Sequence, residues 1–195
     1  MTEKQIDRVR IRIKRIRGVL AAEKRRFGGY DDSRGLRYEP PSLYIHIGDY
    51  PGGLAYLRWF QKNFADDTGF ADFLFEWTLI LYMNNKLREA ERKAFETFCS
   101  NTYILDKFFG KPVVAVCKCE SSSLEKQEFT EYLKYSSTQP ELADFADWLS
   151  ELIISEKFKK AGAKFIDVQK RLYTEDDAET RGYLVKLSRQ ISDTY

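Results

Sequence analysis

Residues 48–67 read GDYPGGLAYLRWFQKNFADD, and this stretch decides the fold class. Pro51 stands where the first turn of a helix tolerates it, because the N–H it lacks would find no partner inside the helix. The helix it opens runs to about Phe64, and Ala65–Gly69 (ADDTG) turns the chain. Immediately upstream, Leu43–Ile47 is a short helix that stops at Gly48. Downstream, Phe70–Met83 is a strongly apolar helix and Asn84-Asn85 a turn. Leu87–Cys99 is then an amphipathic helix with Ala90, Ala94 and Phe98 on one face. Helices in pairs therefore fill the chain from residue 43 to about Gly110.

The N-terminal segment offers two periods. Val9, Ile11 and Ile13 alternate with Arg10, Arg12 and Lys14 as a strand would, but Ile6, Val9, Ile13, Ile16, Leu20 and Phe27 fall at heptad spacing over a longer span. The longer pattern wins, and Gly28-Gly29 supplies the stop. Residues 28–42 (GGYDDSRGLRYEPPS) form a loop. Lys111–Cys119 (KPVVAVCKC) is extended in character, either a short strand or a buried connector. Helices follow at about 124–136, 140–154, 156–173 and 175–192, with Ser122/Glu125 and Thr174/Asp177 as capping boxes. The expectation is one all-α domain: a basic helix over 1–27, paired helices over 38–110, a connector over 111–121 and C-terminal helices over 122–195.

At 195 residues and 43% apolar, with 5 Pro and 11 Gly, the chain is neither disordered nor fibrous. Its net charge of +2 is unevenly spread. Residues 1–26 hold ten basic and three acidic residues, a net +7, so the remaining 169 carry −5. Cys99, Cys117 and Cys119 make no even disulfide framework. Met1–Leu20 is charged throughout, unlike a secretory signal, and no apolar run reaches the ~18 residues a membrane span needs. The cytoplasm is the expected compartment.

The two hairpins also match each other. Residues 48–57 and 85–94 align at an offset of 37, pairing Gly53 with Ala90 and Tyr50 with Leu87. A small residue early in a second helix lets it approach the first closely. Over residues 38–110 the chain resembles the tetratricopeptide repeat family, whose period is about 34 residues. Leu74, Trp77, Thr78 and Leu81 stand where that family places its first-helix packing residues. Pro40-Pro41, and Ala65 and Thr102 in place of closing prolines, depart from the pattern. The resemblance implies stacked hairpins capped by the terminal helices, with a concave groove lined by Asp72, Phe75, Leu79 and Tyr82, and by Tyr38 and Ile45 from the first repeat. Such a groove would hold a peptide or protein segment.

Little in the chain points to catalysis. His46 is the only histidine and has no triad spacing. Cys117-Lys118-Cys119 matches no zinc pattern. Asp31-Asp32, Asp66-Asp67 and Asp176-Asp177 sit beside turns, where aspartate caps helices. The expectation is a non-enzymatic interaction module without metal or cofactor, monomeric or homodimeric. The alternative is a nucleic-acid-associated protein that uses the basic arm, represented by Arg10, Arg12, Arg17, Arg25 and Arg26. The apolar seam of that arm is expected to bury against Leu43, Ile47 and Leu57, or else to join two copies. A far-ultraviolet circular dichroism spectrum should show helical minima and no strand component.

Overall fold

The computed structural model describes residues 1–30 and 32–195. Among them the chain is all-helical, with no strand. Nine α-helices follow in order: α1 Glu3–Phe27, α2 Glu39–His46, α3 Tyr50–Asn63, α4 Ala71–Met83, α5 Leu87–Ser100, α6 Ile104–Phe108, α7 Ala143–Ile154, α8 Glu156–Thr174 and α9 Ala178–Asp193. Short 3₁₀ turns lie at 36–38, 123–125, 127–132 and 140–142. The segment 111–122 is neither helix nor strand, so Lys111–Cys119 is a connector.

Local chemistry sets the ends. Thr2 caps α1 in a reciprocal box with Gln5, and Gly28 stops it at φ 75°, donating its N–H to the Lys24 carbonyl. A left-handed residue at that point favours glycine. Pro40 and Pro41 occupy the first turn of α2, so the helix begins at Glu39, earlier than the apolar run suggested. Asp49 caps α3 by accepting the Gly52 N–H at 2.9 Å. Asn85 makes the α4–α5 turn at φ 56°.

The hairpins pack closely where the small residues stand. A Cβ added to Gly53 would lie 3.0 Å from Ile80 Cδ1 and 3.2 Å from Tyr44 Cβ, and Ala90 is fully buried. Ten of the thirteen residues of α4 are buried. One side of it (Phe73, Leu74, Trp77, Ile80) joins a cluster with Ile13, Tyr44, Leu57 and Phe60. The opposite side (Ala71, Phe75, Leu79) joins a second cluster with Phe95, Phe108, Phe145 and Phe158. The α1 seam is buried at Ile13, Ile16 and Leu20, with Leu43 and Ile47 among the residues around Ile13.

Two expectations fail in the C-terminal half. Residues 124–136 form no α-helix, because the Asn101 side-chain amide donates to the carbonyls of Leu124 and Lys126, both at 2.9 Å. These are acceptors a continuous helix would need for itself. The supposed boxes also differ. Ser122 accepts the Leu124 N–H while Glu125 takes the Ser121 N–H, and Asp177, not Thr174, caps α9 through the Thr180 N–H at 2.8 Å.

Ile13 is 5% exposed. Ile13→Asp should place an unpaired carboxylate in this layer and lower unfolding free energy by about 3 kcal/mol or more, read by urea denaturation.

Candidate functional site

The basic arm is a rigid helix. Its ten cations are all exposed, and over 25 residues it extends about 38 Å. Among the described residues only two of these cations form ion pairs, Arg10 with Asp7 at 3.3 Å and Arg12 with Glu39. Arg17 and Arg25 form none, and Arg26 lies over the Phe27 ring at 5.0 Å. Surface pairs of this kind contribute ~1 kcal/mol or less and do not tie up the charge.

One flank of α1 faces α2 and α3. Arg10, Lys14 and Arg17, at i, i+4 and i+7, line a crevice of about 350 Å³ with Ile13, Tyr44 and Asp49. Farther along, Lys24 Nζ donates to Asn63 Oδ1 at 3.0 Å. Asp49 precedes α3 and Asn63 ends it, so α1 passes the two ends of α3 in the same chain direction. Tyr30 donates its hydroxyl to the same Asn63 oxygen at 3.1 Å, and its ring meets Trp59 edge-to-face at 5.7 Å. Lys24 Nζ is 4.9 Å from the Tyr30 ring centre. Tyr30 and Trp59 both remain half-buried. Burial raises the Tyr56 hydroxyl pKa well above its ordinary value, Asp32 adds to this, and the Arg17 charge works against it.

A polar knot ties residues 32–38 to the turn before α4. Asp32 accepts the backbone N–H groups of Leu36 and Arg37, both at 2.8 Å, and pairs with the Arg37 guanidinium at 3.2 Å. Arg37 Nε donates to Asp67 at 2.7 Å, and the Tyr38 hydroxyl donates to the same carboxylate at 2.7 Å. Burial disfavours the Asp67 carboxylate, but hydrogen bonds from Tyr38, Arg37 and Gly69 outweigh it and hold its pKa below normal. Burial and the Asp67 carboxylate push the Tyr38 hydroxyl up to about 12. The turn roles assigned to Asp32 and Asp67 are both seen, whereas Asp31 lies outside the described residues. The bridge between those two turns had no signal in the sequence, since Arg37 and Asp67 are 30 residues apart.

The six expected groove residues do not line an open groove. Phe75 is 1% exposed, packed on Phe108, Tyr135 and Phe145, and Leu79 is fully buried. Tyr82 lies on Trp148 at 4.9 Å and donates to the Asp144 carbonyl at 3.0 Å. The chain's own α7 and the residues before it therefore cover this face. Tyr38 belongs to the polar knot, its ring 4.5 Å from Phe70, and Ile45 sits half-buried between the two clusters. Asp72 is half-buried with Oδ1 unpartnered, and burial raises its pKa.

His46 is exposed at the end of α2. Among the described residues no three His, Cys, Asp or Glu side chains gather to hold a metal, and the cysteines are unpaired. A cavity of about 740 Å³ lies between α5, the 118–125 segment, α8 and α9. Two of its lining cations are engaged, Lys118 by Glu120 at 3.1 Å and Arg181 by the Leu172 and Glu175 carbonyls. Cys99 on its wall is kept a neutral thiol, its pKa raised by burial to about 12. No described helix is long and apolar enough to cross a membrane. No family model, curated protein or solved structure matches the chain.

Glu76, missed by the sequence reading, is the most perturbed carboxyl among the described residues. It is 5% exposed inside α4 and accepts the Tyr135 hydroxyl at 2.9 Å. Burial lifts its pKa to about 8, with Asp72 adding to the rise and Tyr135 and Lys134 opposing it. Between its ordinary value of 4.5 and about 8 the folded state keeps a proton that the unfolded chain has released. Stability should therefore fall as pH rises through that window. Glu76→Gln should flatten the slope in urea denaturation measured from pH 5 to 8.

Proposed function

We propose that the protein is a non-enzymatic binding module whose working surface is α1 and whose partner is a polyanion, the phosphate backbone of a nucleic acid. One observation carries this reading. The apolar seam of α1 is buried at Ile13, Ile16 and Leu20, so ten cations are held as a fixed outward array, and only Arg10 and Arg12 form ion pairs among the described residues. A fixed row of cations releases condensed counterions from a phosphate chain without first having to order itself.

In this reading the hairpins α2–α3 and α4–α5 are the scaffold, a degenerate tetratricopeptide-like pair. The matching burial of Gly53 and Ala90 at the interhelix contacts supports it. The pair presents α1 rather than a concave groove, because the face that would form the groove is occupied by α7. A cytoplasmic setting fits a chain with three free thiols.

Fluorescence anisotropy of a labelled ~20-nucleotide oligonucleotide tests the reading. Affinity should fall steeply between about 50 and 200 mM salt, with a log–log slope near −0.7 per single-strand phosphate contacted. Reversing Arg8, Lys14, Arg15 and Arg17 together to Glu should abolish binding at the lower salt. The thermal midpoint should move by less than about 4 °C, as expected for surface substitutions.

A further inference from the structure

We propose that the flank of α1 beside the α2–α3 hairpin is a single-stranded nucleic-acid site, with backbone phosphates on the Arg10–Lys14–Arg17 crevice and a base stacked on the Tyr30–Trp59 pair. The inference rests on the polyanion reading and narrows it to one flank of α1 and one form of nucleic acid.

Three observations meet there. The crevice brings three cations, spaced to face the same side, over a floor of Ile13 and Tyr44. The one acid on its rim, Asp49, has Oδ1 occupied by the Gly52 N–H. At the far end Lys24 stands beside two half-buried aromatic rings, Tyr30 and Trp59, and Asn63 links Lys24 to Tyr30. Cations in file beside aromatic rings are what single-strand binders use, since every unpaired base has a face to stack and every nucleotide a phosphate.

Dimensions favour a single strand over a duplex. Arg10 and Lys24, the first and last cations of the site, are fourteen helical residues apart, about 21 Å. That spans a few nucleotides, well short of the ~34 Å turn of a duplex. The bases of a duplex are paired and stacked internally, so they could not reach Trp59. The face of α1 carrying Arg8 and Arg15 has cations but, among the described residues, no aromatic partner from another helix.

The test uses the full chain with a labelled oligothymidylate, the same length of duplex, and phosphatidylserine vesicles. Lys14→Glu with Arg17→Glu should weaken single-strand binding about tenfold or more, and Arg8→Glu with Arg15→Glu by less than about threefold, because only the first pair lines the crevice. Trp59→Leu should cost about 5- to 100-fold, the range for losing one stacked base, while Trp59→Phe keeps a ring and most of the affinity. Thermal midpoints of all variants separate lost binding from lost folding, and Tyr30→Leu, which removes the other ring of the pair, carries the stacking test if Trp59→Leu does not fold. Equal losses from the two charge pairs, duplex binding as tight as single-strand binding, or full competition by vesicles would overturn the single-strand site and leave α1 as a general polyanion surface. Failure of the unmodified protein to bind any of the three probes would overturn the polyanion reading and this one with it.

Discussion

A thirteen-residue helix with no polar face has to be covered on every side, and α4 is that helix. Phe73, Trp77 and Ile80 turn toward α2, α3 and α1, while Phe75 and Leu79 turn toward α5, α7 and the aromatic residues of the C-terminal half. Burial of a large apolar side chain is worth roughly 1.5–3 kcal/mol, so leaving either side open would forfeit several such contributions. This constraint explains why the face that resembles a peptide groove is closed. The chain supplies Phe108, Tyr135, Phe145 and Trp148 from its own later segments to fill it. The same enclosure traps Glu76, whose carboxyl then favours its neutral form.

With α4 covered, the surface available to a partner moves to the periphery. The seam of α1 joins the α2–α4 cluster through Ile13, and its charge is left outside. The knot of Asp32, Arg37, Tyr38 and Asp67 ties residues 32–38 to the turn before α4, because two carboxylates and a guanidinium with a hydroxyl between them satisfy one another at short range. Tyr30 meets Trp59 beside it and donates its hydroxyl to Asn63.

Helix content, the stop at Gly28, the turns at Gly48 and Asn84-Asn85, and the buried positions of Gly53 and Ala90 were all legible in the sequence. Each follows from a local rule: periodicity, the left-handed turn, or the need for a small residue at a close contact. The segment 124–136 misled because its helical pattern was real but its carbonyls were claimed by Asn101, more than twenty residues away. Phe75, Leu79 and Tyr82 misled for a related reason. Their spacing places them on one helix face, and spacing cannot say whether that face meets solvent or α7.

The sequence by itself determined two properties, that the chain is all-helical and that its first helix is amphipathic with a dense basic face. Both properties depend on neighbours within a few turns, where backbone geometry fixes which side chains share a face. Only the tertiary structure decided which faces stayed open. Lys24 meets Asn63 across 39 residues, Arg37 meets Asp67 across 30, and Tyr135 meets Glu76 across 59. Contacts over such separations arise from how whole helices enclose α4, and no local pattern encodes them.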